Sequence, residues 1–480
     1  MARRTHDATG SHGGFSRRQM LHRAAAAGVG LPLAHTLTGR DVSAQGRTPL
    51  PAFTVPSPML SVAERDRRWA AVRANMAKPQ WNLDAIITAG SDQAGTGGHN
   101  ARYLTQIVMQ KGSGGPEVFF PRDPAKAVVA HISATRYVDE WTRRLEPGRW
   151  LADGKLVLKP ESGSAALAKV IKAQGDNRPG TRIGVAKLKG SRFEPEGLVS
   201  YTWFENLRAA LPGVLFLPID QFPPQVGNDT GPIEDASMSK GTEEIEAIRK
   251  AVAVNERAIA AAIDAVRNGA TRQADLWWAS VQVMYSGCGE DMVRCSIGFD
   301  GGGNNTIGDP TDTPVRVGQI CNQEISAAYQ GYGSQINHAF FIGGPSTPGY
   351  DYYRTAVELL AKVHQRAIAF IQPGKTTYGD FQANNEKIFT DLGERGSGLN
   401  THGGGIGFLS RPRQSPEDNL VVMQPGHTFD FKPAVTLDRQ KIKDVRDRNR
   451  LVQLGESILV TDKGAVRLGT RPLVPIATQG

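Results

Sequence analysis

ICNQEISAAYQGYGSQINHAFF, residues 320–341, alternates apolar and polar side chains in two runs that meet at Gln330-Gly331. Alternation with period two marks strands, and a glycine pair position between two such runs marks a tight hairpin turn. The side expected to carry polar groups includes Glu324, Gln335 and His338. Strands hold side chains more rigidly than loops, so a polar cluster inside a hairpin is a natural place for a site. The competing reading is an ordinary sheet with its polar residues on a wet face.

The chain around this hairpin has 480 residues, enough for two or three domains. With 40% hydrophobic and 21% charged residues it has the composition of a globular protein with ample core. The net charge is +9, of which residues 1–44 supply four through six arginines set against Asp7 and Asp41. The remaining excess is spread over a large surface without a Lys/Arg block, which excludes nucleic acid as an expected partner.

Ser16-Arg17-Arg18-Gln19-Met20-Leu21, a weakly apolar run over residues 24–37, and Val42-Ser43-Ala44 follow the order of a twin-arginine export signal. The expectation is a leader over 1–44, a Pro-rich lead-in over 45–59, and a periplasmic or secreted mature protein. Its apolar run is too short and too rich in Gly and Ala to span a bilayer permanently, so no membrane association is expected after cleavage. Cys288, Cys295 and Cys321 are odd in number and form no CxxC, which suggests buried thiols rather than a disulfide scaffold or zinc site.

Residues 62–76 read as an amphipathic helix, and 83–89, 118–120, 127–131 and 214–218 as apolar strand-like runs within an α/β region over 60–225. The composition of 226–239 predicts a linker. A long helix then starts at Thr242 as N-cap, buries Ile245, Ile248, Val252, Ile259, Ile263 and Val266, and stops at Asn268-Gly269. The stretch 262–271 is echoed 105 residues later by 367–376, and Asp275-Leu276 by Asp380-Phe381. A duplicated helix–stop–helix–strand unit predicts two helical layers around one antiparallel sheet with pseudo-twofold symmetry.

Met238-Ser239-Lys240-Gly241-Thr242-Glu243-Glu244-Ile245, Asn268-Gly269-Ala270-Thr271, Gly331-Tyr332, Gly403-Gly404-Gly405-Ile406-Gly407 and Gln424-Pro425-Gly426-His427-Thr428-Phe429 occur in an order and spacing that resemble one family. That family is the creatinase / Xaa-Pro aminopeptidase / methionine aminopeptidase superfamily. The resemblance spans roughly residues 60–470 and implies an α+β fold: a pita-bread catalytic domain over 240–472, a smaller creatinase-like N-terminal α/β domain, and a homodimer. Residues 473–480 are left as a tail.

Peptidases of this family bind two metal ions through two Asp, one His and two Glu. Aligned on the shared motifs, those positions hold Glu324, Gln335, Gly404, Lys432 and Gly455 here. A lysine where the family keeps an acid repels divalent cations, so no metal is expected. Glu324 and Lys432 are instead expected to pair. If a strand slips by one residue, Glu324, His402 and Glu456 would still offer one His and two carboxylates for a single ion. Asp309 stands where metal-free creatinase resembles a His-based acid/base enzyme, and Asp309-Pro310 reads equally as a turn.

Glu324, His338, Asp309 and Lys432 are therefore the expected catalytic residues, with Gln335, Asp430, Arg411 and His402 around the substrate and Arg413 beside Arg411. Three functions follow from the resemblance. The first is a metal-independent hydrolase cutting a C–N bond of a small polar molecule or short peptide. The second is an Xaa-Pro metallopeptidase with a degenerate single-metal site, and the third a non-catalytic binder of a peptide or metabolite.

Overall fold

A computed structural model describes residues 60–89, 100–108, 116–189, 197–219, 231–288, 294–300, 309–406, 411–412, 418–437 and 450–479. The expected leader, Arg413 and the glycine run over 301–308 lie outside them. The N-terminal region opens with α1 (Val62–Met76), whose Ser61 N-cap accepts the Glu64 N–H at 3.3 Å. A six-stranded sheet follows, made of β1 (Ala85–Thr88), β2 (Glu117–Pro121), β3 (Val128–His131), β4 (Leu156–Lys159), β5 (Arg182–Ala186) and β6 (Leu215–Pro218). Its order is β4-β3-β2-β1-β5-β6, parallel except where β2 meets β1 and β3. Strands β1, β2 and β3 are buried along their whole length, which is why their sequences are apolar runs and not alternations. The helices α2 (Asn100–Thr105), α3 (Thr135–Leu145), α4 (Ser164–Ala173) and α5 (Tyr201–Ala210) complete this region.

The expected linker is partly helical. Pro232–Met238 forms α6, which starts with proline in its first turn, buries Ile233 and Ala236, and receives the Asn75 amide of α1 on the Pro232 carbonyl at 2.9 Å. Composition had suggested a break, whereas the apolar Ile233 and Ala236 have α1 to pack on.

The C-terminal region repeats one plan. Helices α7 (Thr242–Arg267) and α8 (Gln273–Cys288) precede β7 (Arg294–Phe299) and β8 (Ile320–Ser326). Helices α9 (Tyr350–Phe370) and α10 (Tyr378–Asp391) precede β13 (Gly396–Gly403). The echoed stops Gly269 and Gly374 both take positive φ, +90° and +74°, which L side chains rarely adopt. The α7 cap lies one residue earlier than expected: the Gly241 N–H donates to Glu244 Oε2 at 2.7 Å.

The hairpin consists of β8, β9 (Ala328–Tyr329), β10 (Tyr332–Gly333), β11 (Ile336–His338) and β12 (Phe340–Phe341). Gln330 and Gly331 both have positive φ, as a two-residue turn of the primed kind requires. With β15 (Thr428–Val435) and β16 (Val452–Thr461) these strands build an antiparallel sheet, β12-β8-β11-β16-β15-β13. Strand β10 instead joins β9 and β14 (Gly405–Ile406), and β17 (Gly464–Arg467) pairs with β16. Ile259, Ile263, Trp277 and Met284 of α7 and α8 pack on one part of the sheet through Ile297, Ile325 and Ile336. Tyr353, Leu360, Val363 and Phe381 of α9 and α10 pack on the other through Phe429, Phe431 and Ile458. The tail expected over 473–480 is docked where described: Thr478 N–H donates to the Phe341 carbonyl at 3.0 Å, and Phe341 N–H to that of Ile476 at 2.9 Å.

Candidate functional site: a buried ionic and amide cluster

Strand register places the site. Glu324 stands opposite Asn337, and Asn337 opposite Gly455. Phe431 faces Glu456 and Ala434 faces Gln453, so Lys432 stands opposite Gly455. Paired positions of antiparallel neighbours share a face, so Glu324, Asn337, Gly455 and Lys432 form one row across four strands. The sequence Thr428-Phe429-Asp430-Phe431-Lys432 alternates accordingly: its phenylalanines pack on α9 and α10, and Asp430 and Lys432 enter the polar cluster.

Glycine at 455 makes that row possible. A Cβ there would lie 2.4 Å from Asn337 Oδ1 and 2.9 Å from Lys432 Cγ. The lysine stem passes over the missing side chain, and its Nζ reaches Glu324 Oε1 at 3.0 Å. Lys432 also donates to Gln335 Oε1, and Arg294 Nε approaches Glu324 Oε2 to 3.0 Å. Since an ammonium has no acceptor, the Gln335 amide oxygen must face it. His402 Nε2 lies 2.8 Å from the same oxygen and so carries a proton. On its other side His402 Nδ1 is 3.7 Å from Asp430 Oδ2, and the Ser457 hydroxyl donates to Asp430. Glu324, Gln335, Asn337, His402, Asp430 and Lys432 are all buried. Burial pushes the Asp430 carboxyl up to about 7, against the opposing pull of the Ser457 hydroxyl and the Lys432 ammonium.

The expected His338 faces the other way. It neighbours Asn337 on β11, and a single step along a strand reverses the face. Its Nδ1 accepts from Arg471 Nε at 3.0 Å and its Nε2 lies 3.1 Å from the Val474 carbonyl. Burial first, and the Arg471 charge second, hold its pKa down at about 3, so it stays neutral. Glu456 occupies that opposite face too, hydrogen-bonded by Arg471 and 3.6 Å from Arg467. The slipped trio Glu324, His402 and Glu456 is therefore not brought together. Asp309 is exposed, whereas the cluster is buried. Arg411 binds carboxylates, but the protein's own: Asp418 at 2.7 Å and Asp235 at 2.5 Å. Asn337 is the member that sequence reading missed. Counting strand parity back from Glu324 through the hairpin would have found it.

Residues 246–462 match the model of metallopeptidase family M24. That stretch, just under half of the chain, is similar to the creatinase/aminopeptidase superfamily. Among the proteins the chain is similar to is the Xaa-Pro dipeptidase of Pyrococcus furiosus, 24% identical over 277 residues, which are 57% of this chain and 72% of that protein. The mouse mitochondrial methionine aminopeptidase 1D is 24% identical over 185 residues, covering 35% of this chain and 53% of the relative. The X-Pro aminopeptidase structure from Thermotoga maritima superposes with a TM-score of 0.62 at 16% identity, over 82% of this chain and 98% of that one. The prolidase of Thermococcus sibiricus gives 0.63 at 17% identity, over 88% and 100%. At such identities these structures show the shared pita-bread fold. So does the N-terminal domain of FACT complex subunit SPT16 from chickpea, with a TM-score of 0.61, 15% identity, and 86% and 97% coverage.

The match to a metallopeptidase family model raises the question of divalent metal, and the side chains present test it. Two divalent cations need several carboxylates to neutralise them. Within the cluster the carboxylates are Glu324 and Asp430, and Glu324 already has Lys432 and Arg294 against its two oxygens. Lys432 Nζ itself stands among the oxygen donors a cation would use. Among the described residues no group of three or more His, Cys, Asp and Glu is arranged to hold a metal ion. This donor set does not fit a dinuclear centre.

Proposed function

We propose that the chain is a metal-independent hydrolase that adds water across a C–N bond of a small polar substrate. The observation that carries the reading is the Lys432 ammonium, buried 3.0 Å from Glu324 where the resemblance expects cation ligands. The relatives support the bond type, since Xaa-Pro dipeptidase and methionine aminopeptidase are names for enzymes that cut peptide C–N bonds.

Roles follow from the geometry. Asp430, poised at about 7, takes a proton from water as the water oxygen bonds to carbon, then returns it to the departing nitrogen. His402 fixes Gln335 through Nε2, with its other ring nitrogen 3.7 Å from Asp430. Lys432 sets a positive charge where negative charge develops on the substrate oxygen, with Glu324 holding it in place. Gly404 leaves space beside Asp430: a Cβ built there has nothing nearer than 3.7 Å.

The test is metal analysis of the purified protein, with turnover of ureas, amidines and short peptides measured in chelator. Activity that survives chelation and falls about 100- to 10,000-fold in Asp430→Asn supports the reading. Two tightly bound equivalents of manganese, cobalt or zinc would overturn it in favour of a metallopeptidase. The proposal includes twin-arginine export and a homodimer, read out by cell fractionation with an Arg17→Lys/Arg18→Lys leader and by light scattering.

A further inference from the structure

Three side chains around Lys432 leave polar atoms unanswered. Gln335 gives its oxygen to Lys432 and His402, and its Nε2 has no hydrogen-bond partner among the described residues. Asn337 has none at either Oδ1 or Nδ2, although it is 0% exposed. Glu324 Oε2 has Arg294 Nε as an ion-pair neighbour at 3.0 Å but no well-directed hydrogen bond. Asn337 Oδ1 lies over Gly455, beside the lysine stem, so these atoms sit on one face of one strand row. Buried amides normally find partners, and leaving one unmade costs about 1–3 kcal/mol per group. A concentration of them next to an ionic pair points to a ligand.

The kind of ligand follows from which groups are left over. The full charges in the cluster are already engaged: Lys432 and Arg294 both lie on Glu324, and Asp430 accepts from the Ser457 hydroxyl. What remains is an amide N–H donor on Gln335, both ends of an amide on Asn337, and one Glu324 oxygen whose charge Lys432 and Arg294 already share. Dipoles complement a group that presents a carbonyl and an N–H side by side. A full charge brought here would have to compete with the Lys432–Glu324 and Arg294–Glu324 pairs for its counter-charge while losing its own hydration, which is unfavourable. Arg294, with a side chain 33% exposed, is the partly exposed neighbour of buried Glu324.

We infer that Gln335 and Asn337 read an uncharged carboxamide or urea group on the substrate, placing its C–N bond beside Lys432 and Asp430. This deepens the metal-independent reading and rests on it. Asn337 is a specificity residue here, and Gln335 both reads the ligand and positions His402.

Ligand-observed NMR on the full mature chain tests the inference with three probes of similar size: N-methylurea, methylguanidinium and acetate. N-methylurea is expected to bind about tenfold more tightly than either charged probe, and Asn337→Leu to weaken it about tenfold. Asn337→Thr, closer in volume, serves if the leucine variant melts early, and melting temperature is recorded for each. Equal or tighter binding of a charged probe overturns the inference. So does N-methylurea binding unchanged in a folded Asn337 variant, or absent from the parent protein. Metal content of the same samples separates the two claims. Bound metal sinks the functional reading, whereas a metal-free protein that prefers a charged probe sinks the ligand class alone.

Discussion

At the scale of single residues, Lys432 decides the electrostatics of the buried cluster. Removing one partner of a buried ion pair costs about 3–5 kcal/mol, because the other charge is left uncompensated. Lys432→Met is expected near the lower end, since Arg294 still approaches Glu324 Oε2. Urea denaturation midpoints check this, and an unchanged midpoint would mean the pair contributes nothing to folding. Asp430 gives a pH test. Its folded-state pKa of about 7 lies above the ordinary 3.8, so the folded chain holds the proton more tightly than the unfolded one. The stability this confers is fully present below about pH 3.8 and lost as pH rises through about 7. The Ser457 hydroxyl, Lys432, the Gln335 backbone N–H and Lys240 pull the same carboxyl's pKa down and temper the effect, and the His402 ring lies 3.7 Å away. Asp430→Asn should flatten the change in urea midpoint between about pH 4.5 and about pH 7.5; an identical slope in the variant would exclude Asp430 as its source.

At the scale of elements, the site is a row across β8, β11, β16 and β15, and Gly455 is the element-level adjustment that accommodates Lys432. Gly455→Ala inserts a methyl group 2.4 Å from Asn337 Oδ1 and 2.9 Å from Lys432 Cγ. Overpacking of this kind costs about 1–3 kcal/mol. With the lysine stem shortened, the methyl has somewhere to go. The double variant Gly455→Ala/Lys432→Ala is therefore expected to be more stable than the sum of its singles predicts. Strict additivity in a double-mutant cycle would show that the two positions do not interact.

At the scale of the molecule, a second buried network ties the N-terminal region to the hairpin. Arg68 of α1 bonds the Tyr332 hydroxyl, which donates to Glu244 Oε1 of α7 at 2.6 Å, and Arg68 Nε lies 3.1 Å from Glu64. Ser61 N–H adds a 2.7 Å bond to Glu243 Oε2. Tyr332→Phe removes a hydrogen bond to a buried charge and should cost about 1.5–3 kcal/mol. Because Tyr332 belongs to the short sheet of β9, β10 and β14, the same variant is expected to speed proteolysis near the hairpin. A melting curve and cleavage pattern like the parent's would show that this network is dispensable.

The hairpin, the doubled helix plan and the apolar strands were all legible in the chain, because each rests on local spacing. Lys432 meeting Glu324 was legible as complementary charges at positions the resemblance directs into one cleft. Side-chain direction was not. His338 and Glu456 look like site residues in the sequence, yet strand parity turns them toward Arg471, while unremarked Asn337 turns inward. Arg411 advertises an anion site, but Asp235, 176 residues away in sequence, fills it. Linear spacing determines which elements form and what chemistry they carry. Register between strands far apart in sequence determines which of those groups meet, because a one-residue step exchanges the two faces of a sheet.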